Sequence, residues 1–466
     1  MKILVLNCGS SSLKFALIEL PTYRVLTSGN EERVGINDSF IRFKRPDGTK
    51  EERHLPIPNH TRGVEIILDI LREEHFVASF DEIDAIGHRL VHGGERFASS
   101  VRINAEVLEK LRECVPLAPL HNPANILGIE AVSKVLPQVP QVGVFDTAFH
   151  QTMPEHAFMY ALPYEFYSEF GIRRYGFHGT SHQYVSEVGA ELAGIDLANS
   201  KIVTAHVGSG ASMAAILNGR SIDTSMGLTP NEGLMMGTRA GDIDSGVLDF
   251  LLAKKDYRPE FIAPYLKDEK EAGKTQLSLQ DLTHLLTKKS GLEGISTQGS
   301  DMRDVAKAAE SGSHRDRLAI TMHAYRVKKY VGAYAAALGG LDLLIFTAGV
   351  GENRPPMRTE VLFTFSEIGR SWLFRWLMER MVTLPSLPAA GETNARRIPQ
   401  IKPALNNRFI ISLFPSESAS PRRPRTAVGR NRSPAPFRTR PRRARTTAPP
   451  SRRPRRSCPG SARWPC

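Results

Sequence analysis

Lys2-Ile-Leu-Val-Leu-Asn7-Cys8-Gly9-Ser10-Ser11-Ser12-Leu13-Lys14-Phe15 is the stretch that decides the fold. A short apolar run ends at Asn7, a small polar turn follows, and Leu13, Phe15 and Leu17 then alternate with Lys14 and Ala16. This pattern predicts strand, turn, strand. Small residues let backbone N–H groups approach an anion, hydroxyls at Ser10 and Ser12 add donors, and Lys14 brings a mobile positive charge, so the turn suits phosphate. The Gly-x4-Gly-Lys-Ser/Thr spacing of a Walker loop is absent, and the second run reads as a strand rather than a helix. A weaker copy follows at Lys201-Ile-Val-Thr-Ala-His206-Val207-Gly208-Ser209-Gly210-Ala211-Ser212-Met213. Two such hairpins predict a duplicated, two-lobed phosphate-binding fold; two ordinary serine-rich turns are the plain alternative.

A chain of 466 residues exceeds one ordinary domain, and two domains with substantial cores are expected. Charge is split unevenly. From Pro421 onward there are fifteen Arg, no Lys and no acidic residue, whereas residues 1–420 hold 46 Lys and Arg against 49 Asp and Glu. The body therefore makes no general case for nucleic acid, which only the tail would attract, and non-specifically. Four cysteines, at 8, 114, 458 and 466, lack zinc-type spacing and fit a reducing compartment. Val5-Leu6-Asn7-Cys8 resembles a lipoprotein signal only superficially, because the apolar stretch is short and Asn7 is not small. No apolar run approaches a membrane span. A cytoplasmic body is expected.

Residues 1–150 carry the first hairpin, a helix near Gly63–Glu74, a strand near Ile83–Leu90 and another ending at Asp146. Residues 151–370 carry the second hairpin, several helices and the strand Leu341–Thr347, which runs into Ala348-Gly349-Val350-Gly351-Glu352-Asn353. Strands that end in Gly, Asp or Asn and lead into helices indicate an α/β architecture with its sites at strand ends. The pattern deteriorates beyond about residue 370: residues 371–420 form an atypical segment and residues 421–466 an Arg/Pro-rich tail that cannot build a core.

Several residues could do chemistry. In Gly176-Phe177-His178-Gly179-Thr180-Ser181-His182-Gln183, Thr180 and Gln183 fit a capping box. That places His178 beside a helix N-terminus, where it could donate to a phosphoryl oxygen. Zinc at the His178/His182 pair is disfavoured, since no Glu accompanies them as in a zincin. Arg89 and Arg239 lie on glycine-flanked segments and suit a carboxylate and a phosphoryl group; solvated surface charges are the plain alternative. Asp146, at a strand terminus, suits orienting a carboxylate or holding a hydrated metal, or is a simple turn aspartate. Ser300 reads as a helix cap before Asp301, Met302 and Arg303, and Pro355 and Pro356 fit the first turn of a helix after the Gly349–Asn353 loop.

Asn-x-Gly-Ser-Ser-Ser-x-Lys at 7–14, His-Arg-x-Val-His-Gly-Gly at 88–94, Gly-Phe-His-Gly-Thr-Ser-His at 176–182 and Gly-Leu-Met-Met-Gly-Thr-Arg at 233–239 occur in order. Together they resemble the acetate kinase family, within the superfamily of acetate and sugar kinases, actin and Hsp70-type chaperones, over about residues 1–365. The resemblance implies two duplicated ribonuclease-H-like lobes with nucleotide and substrate between them. It implies reversible, ATP-dependent phosphorylation of acetate to acetyl phosphate by in-line transfer, in a cytoplasmic homodimer with Mg2+ and ATP/ADP. It further implies roles by position. Arg89 and Arg239 would bind the carboxylate and the moving phosphoryl, His178 would stabilise the transition state, and Asp146 would be the essential carboxylate. Asn7 would lie near magnesium and Lys14 would contact ATP. His206, Val207, Gly208, Ser209 and Gly210 would hold phosphates, and Asp301–Arg303 with Gly349–Asn353 would hold the adenosine. Val91, Leu120, Phe177 and Pro230 match the family's methyl pocket.

The resemblance fails at the C-terminus. The family closes with Pro-Thr-Asn-Glu-Glu, whose first Glu helps bind magnesium, and a helix that packs on the N-terminal lobe; here Gly391-Glu392-Thr393-Asn394-Ala395-Arg396 offers only Glu392 as a substitute. The lysine-free tail resembles translation out of frame after about residue 365. Reduced activity or poor folding is the expected cost. Propionate or butyrate kinase activity, or a catalytically dead nucleotide-binding protein with an RNA-associating tail, are the alternatives.

Overall fold

The computed structural model describes residues 1–367 and 381–383, all within one compact unit. The atypical segment apart from 381–383, the candidate Glu392 and the Arg/Pro-rich tail with its nucleic-acid reading lie outside the described residues.

The strands are β1 Lys2–Cys8, β2 Ser12–Glu19, β3 Arg24–Glu32, β4 Phe40–Lys44, β5 Lys50–His54, β6 Ile83–Leu90, β7 Val101–Arg102, β8 Gln141–Phe145, β9 Lys201–Val207, β10 Ala211–Leu217, β11 Arg220–Thr224, β12 Leu343–Thr347 and β13 Met381–Thr383. The first eight form one sheet in the order β5-β4-β3-β2-β1-β6-β8-β7, and the last five form another in the order β11-β10-β9-β12-β13. In the first, β3, β2 and β1 are antiparallel neighbours, and β6 then β8 continue in parallel. The second repeats this: β11, β10 and β9 are antiparallel, then β12 and β13 are parallel. The predicted duplication is thus a repeated five-strand topology of the α/β class.

Both hairpins form where the sequence places them. Asn7 faces Lys14 and Cys8 faces Leu13 across the first, whose turn is closed by the Gly9 N–H donating to Ser12 O at 2.8 Å. His206 faces Ser212 across the second, and the Gly208 N–H donates to Gly210 O at 3.0 Å. In the first sheet, Leu4, Leu6, Leu13, Phe15 and Leu17 pack against Val64, Ile67, Leu68 and Leu71 of helix His60–Glu73 and Val132 of helix Asn122–Val135.

β9 is covered on both faces, which explains its nearly continuous apolar run. Val203, Ala205 and Val207 pack with Val327 and Val331 of the long helix His314–Ala337. Ile202 packs with Val185 and Ala190 of helix Gly179–Ala193, alongside Ala214 and Ile216 of β10. Side chains alternate along a strand, so Thr204, His206 and Ser212 share this second face and meet the 179–193 helix. Among the described residues no helix is long and apolar enough to cross a membrane.

Candidate active site

Three parallel strands of the first sheet end side by side. Leu6 of β1 pairs with His88 of β6, and Arg89 and Leu90 pair with Val144 and Phe145 of β8. Asn7, Arg89 and Asp146 are therefore brought to one edge, where α/β sheets place their sites. Arg89 grips Asp146 bidentately, with Nε to Oδ1 at 3.0 Å and Nη2 to Oδ2 at 2.7 Å. Asp146 is buried, whereas 41% of the Arg89 side chain is exposed, so the guanidinium keeps a free edge. The carboxylate holds the Arg89 pKa above its ordinary value.

Buried amides brace this edge. Asn125 accepts from the Val91 N–H at 3.0 Å and donates to Cys8 O at 2.8 Å, tying the first hairpin to the strand after Arg89. Asn122 accepts from the His92 N–H and donates to His92 O, and Thr147 Oγ1 accepts from the Gly93 N–H at 3.1 Å.

The predicted capping box at Thr180 and Gln183 is not formed. The helix starts earlier, at Gly179, with His178 as the N-cap residue in a left-handed conformation, φ 57° and ψ 21°. Asp146 imposes this start: the Gly179 N–H donates to Asp146 O at 2.8 Å, and a Cβ at Gly179 would collide with that carbonyl. His178 thereby stands beside the Arg89–Asp146 pair in a conformation that non-glycine residues seldom adopt.

The His178 ring lies against the second hairpin. Its Nδ1 is 2.8 Å from Ser212 Oγ, and it stacks on His206 with ring centroids 4.2 Å apart. Ser212 Oγ also lies 2.8 Å from His182 Nε2, and His182 Nδ1 lies 2.7 Å from Thr204 Oγ1. Ser181 Oγ meets His206 Nδ1 at 2.8 Å. Burial, then the nearby charges of His206, Arg89, His182 and Arg239, pushes the His178 pKa well below its ordinary value. Burial pushes His182 well down and His206 down to about 4. These rings are neutral at pH 7. The i, i+4 pair His178 and His182 is occupied by serine and threonine hydroxyls, and among the described residues no group of three His, Cys, Asp or Glu could hold a metal ion.

Gly210 is where the second arginine joins. A Cβ there would lie 3.5 Å from Arg239 Nη1 and 3.7 Å from His178 Cε1, so all three sit together. Arg239 donates from Nη1 to Pro230 O at 3.2 Å, and burial lowers its pKa. Its loop is pinned by the Gly237 N–H donating to Ser209 O at 2.9 Å and by Asp242, which accepts from the Gly233 N–H at 2.8 Å and from Tyr330 at 2.7 Å. Phe177 is buried, and Val91 packs against the apolar cluster that contains it. Leu120 is 78% exposed. His121, which the sequence did not single out, lies near both arginines: its pKa is lowered by burial and then by Arg239 and Arg89.

The remaining candidates form a second group. Asp301, rather than Ser300, caps helix Met302–Glu310, its side chain accepting from the Arg303 N–H. The Arg303 side chain bonds Asp301 as well and pulls its pKa down to about 2. The Gly349–Asn353 segment is a short helix, Ala348–Asn353, rather than a loop, and Pro355 opens the next helix as expected. Arg354 joins the two segments by donating to Met302 O at 2.9 Å. Ala348 and Gly208 are neighbours, since a Cβ at Gly208 would lie 3.6 Å from Ala348 Cβ. Lys14 is exposed and makes no ion pair among the described residues.

Among the described residues, the Asn122 and Asn125 oxygens at this edge are taken by backbone N–H groups and both Asp146 oxygens already accept from Arg89, which leaves Asn7 and the remaining lone pairs of Asp146 as oxygen donors. So small a set fits magnesium, which keeps several waters and shares substrate phosphates rather than filling an all-protein cage.

The Acetokinase family profile matches residues 2–375. Acetate kinase of Porphyromonas gingivalis is 52% identical over 363 residues, covering 78% of this chain and 86% of that protein. Acetate kinase of Bacteroides thetaiotaomicron is 53% identical over the same length and coverage. Among solved structures, the Porphyromonas gingivalis acetate kinase superposes with a TM-score of 0.74 at 45% identity, covering 87% of this chain and 99% of that one. A propionate kinase from Francisella tularensis does so with a TM-score of 0.71 at 39% identity, covering 83% and 96%. The repeated sheet topology, the convergent arginines and histidine, and these likenesses agree: the chain belongs to the acetokinase family.

Proposed function

We propose that this chain transfers the γ-phosphoryl group of ATP to acetate, reversibly, giving acetyl phosphate and ADP. The observation that carries the reading is the meeting of His178 with Arg239 at Gly210, close enough to Arg89, held by Asp146, for the Arg89 charge to act on the His178 ring. The free edge of Arg89 binds the acetate carboxylate, and the methyl group lies toward Val91, Leu120, Phe177 and Pro230. A carboxylate oxygen attacks the γ-phosphorus in line, the bond to the β-γ bridging oxygen breaks, and ADP leaves with that electron pair. Acetate is already ionised at neutral pH, so no general base is required. Catalysis then consists of positioning and charge neutralisation. His178 Nε2 and Arg239 donate to the oxygens of the moving phosphoryl group. Ser10, Ser12, Lys14 and His206–Gly210 hold the phosphates, while Asp301, Met302 and Arg303 with Gly349–Asn353 hold the adenosine. Magnesium would be held near Asn7 and Asp146 chiefly by the phosphates and its own waters, and would supply further charge neutralisation when bound.

We further propose a cytoplasmic homodimer. Helix Ser245–Ala253 supports it, being rich in apolar residues and yet having none buried, with Phe250 71% exposed. Light scattering on the full chain tests this, Phe250→Glu being expected to shift dimer to monomer. A second reading, a longer acyl substrate, is favoured by the exposure of Leu120, which leaves one wall of the methyl pocket open. Hydroxamate trapping of acyl phosphate from ATP with acetate, propionate or butyrate tests both. Acetate as the best substrate supports the first reading; absence of any acyl phosphate overturns both.

A further inference from the structure

The histidine pair at 178 and 182 is absorbed only in part by the proposed reaction, because that reaction uses one ring and leaves the other buried behind it. His182, Ser212 and Thr204 are fully buried and form a single file: Thr204 Oγ1 to His182 Nδ1 at 2.7 Å, His182 Nε2 to Ser212 Oγ at 2.8 Å, and Ser212 Oγ to His178 Nδ1 at 2.8 Å. We infer that Thr204, His182 and Ser212 are positioning residues that fix His178 as the neutral tautomer bearing its proton on Nε2, the nitrogen directed away from the file.

The direction of the file follows from counting protons. Each hydroxyl has one hydrogen, each neutral imidazole has one N–H, and each ring needs one donor and one acceptor nitrogen. With Thr204 donating to His182 Nδ1, His182 Nε2–H donates to Ser212 and the Ser212 hydroxyl donates to His178 Nδ1. The His178 proton is then on Nε2, free to donate to an incoming phosphoryl oxygen. Reversing the file makes His178 donate to Ser212, Ser212 to His182, and His182 to Thr204. The Thr204 hydroxyl proton then has nowhere to go, since among the described residues Thr204 Oγ1 has no other hydrogen-bond partner. A fully buried unmade hydrogen bond is costly, and that cost selects the first direction. The reversed file would also present a bare Nε2 lone pair to an anionic ligand.

One neighbouring ring carries its proton on the same nitrogen. His150 Nε2 lies 3.0 Å from Phe177 O, which only accepts, so its proton is on Nε2 and Nδ1 accepts from Ser221 at 2.8 Å. Burial keeps all four rings, at 150, 178, 182 and 206, neutral at pH 7, so the file carries no added proton that would erase its direction.

The inference rests on His178 acting as a phosphoryl-oxygen donor, and the test separates the two. In full chain labelled with [15N]histidine at pH 7, two-bond nitrogen–proton correlations are expected to show His178 and His182 as Nε2–H tautomers. Thr204→Val, nearly equal in shape but without the hydroxyl, is expected to shift His178 toward Nδ1–H. It should lower kcat about tenfold or more while leaving KM for ATP and acetate nearly unchanged; Thr204→Ser restores both signals. An Nδ1–H signal for His178 in the unaltered chain overturns the relay, as does an unchanged spectrum and kcat in Thr204→Val. Unchanged kcat in His178→Ala would remove the donor role itself, whereas loss of activity there with a fully active Thr204→Val would overturn the relay alone.

Discussion

Arg89 and Asp146 act as one unit: two parallel hydrogen bonds of 3.0 and 2.7 Å lock the guanidinium plane against a buried carboxylate and leave its other edge open. Lysine cannot reproduce this fork, and asparagine offers only one acceptor oxygen. Arg89→Lys and Asp146→Asn are each expected to lower kcat/KM for acetate by roughly 100-fold. The double variant should be little worse than either, because each change already releases the other side chain. Strictly additive losses in the double-mutant cycle would show that the two residues act separately.

The Gly179 N–H to Asp146 O bond fastens the helix that carries His182 to the end of β8. A methyl group at Gly179 would press on that carbonyl and on Phe149 Cβ at 3.1 Å. Gly179→Ala should cost about 1–3 kcal/mol of stability and lower kcat more than KM, since His178 is displaced while the Arg89 edge is untouched. Denaturant melts with steady-state kinetics check this; wild-type kcat in a folded variant refutes it.

The fold should have a stability optimum in pH. His88, His92, His150, His206 and His323 are buried, and burial pushes their pKa values to about 4 from an ordinary 6.5. Between pH 6.5 and 4 the unfolded chain takes up protons that the native chain refuses, so stability falls as pH falls. Glu31 behaves oppositely. It lies on β3 opposite Leu13, has both carboxylate oxygens buried without a partner, and burial raises its pKa to about 8 from 4.5. Native Glu31 keeps a proton that the unfolded chain releases over that range, so its contribution falls as pH rises. At pH 6.5 the unfolded histidines are still half protonated, so Glu31 dominates only above about pH 7, with a slope of up to about 1.4 kcal/mol per pH unit. Urea midpoints should therefore peak at about pH 7 and decline toward 8, and Glu31→Gln should flatten the alkaline limb. An unchanged limb in that variant would place the titrating group elsewhere.

Val91 follows Arg89 by two residues and packs against the apolar cluster that contains Phe177. Val91→Ala enlarges the proposed methyl pocket by two carbons' volume and should shift the propionate-to-acetate ratio of kcat/KM upward by about tenfold, as one methylene is worth about 1–3 kcal/mol in such a pocket. An unaltered ratio would place the methyl group against other residues.

Much of this was legible because it is local. Alternation marks both hairpins and β6 Ile83–Leu90 to the residue, and glycine clusters mark the segments carrying Arg89 and Arg239. The capping-box reading of Thr180 and Gln183 failed because a carbonyl 33 positions away in sequence, at Asp146, fixes where the helix begins and holds His178 at positive φ. Thr204, Ser212 and Asn125 were missed for the same reason: their partners come from other elements. One signal was available, the threonine within the apolar stretch Ile202–Ala205 of β9, since a polar residue in a strand covered on both faces must find a buried partner.

The repeated topology gives corresponding addresses to Asn7 and His206, each penultimate in the first strand of its sheet, and to the residues across from them, Lys14 and Ser212. At one address the pair is an amide and a full cation; at the other it is an imidazole and a hydroxyl, both uncharged at neutral pH. The repeated hairpin thus presents a charged station in one sheet and a neutral one in the other. The asymmetry of the chemistry is carried by side chains alone, on a backbone that repeats.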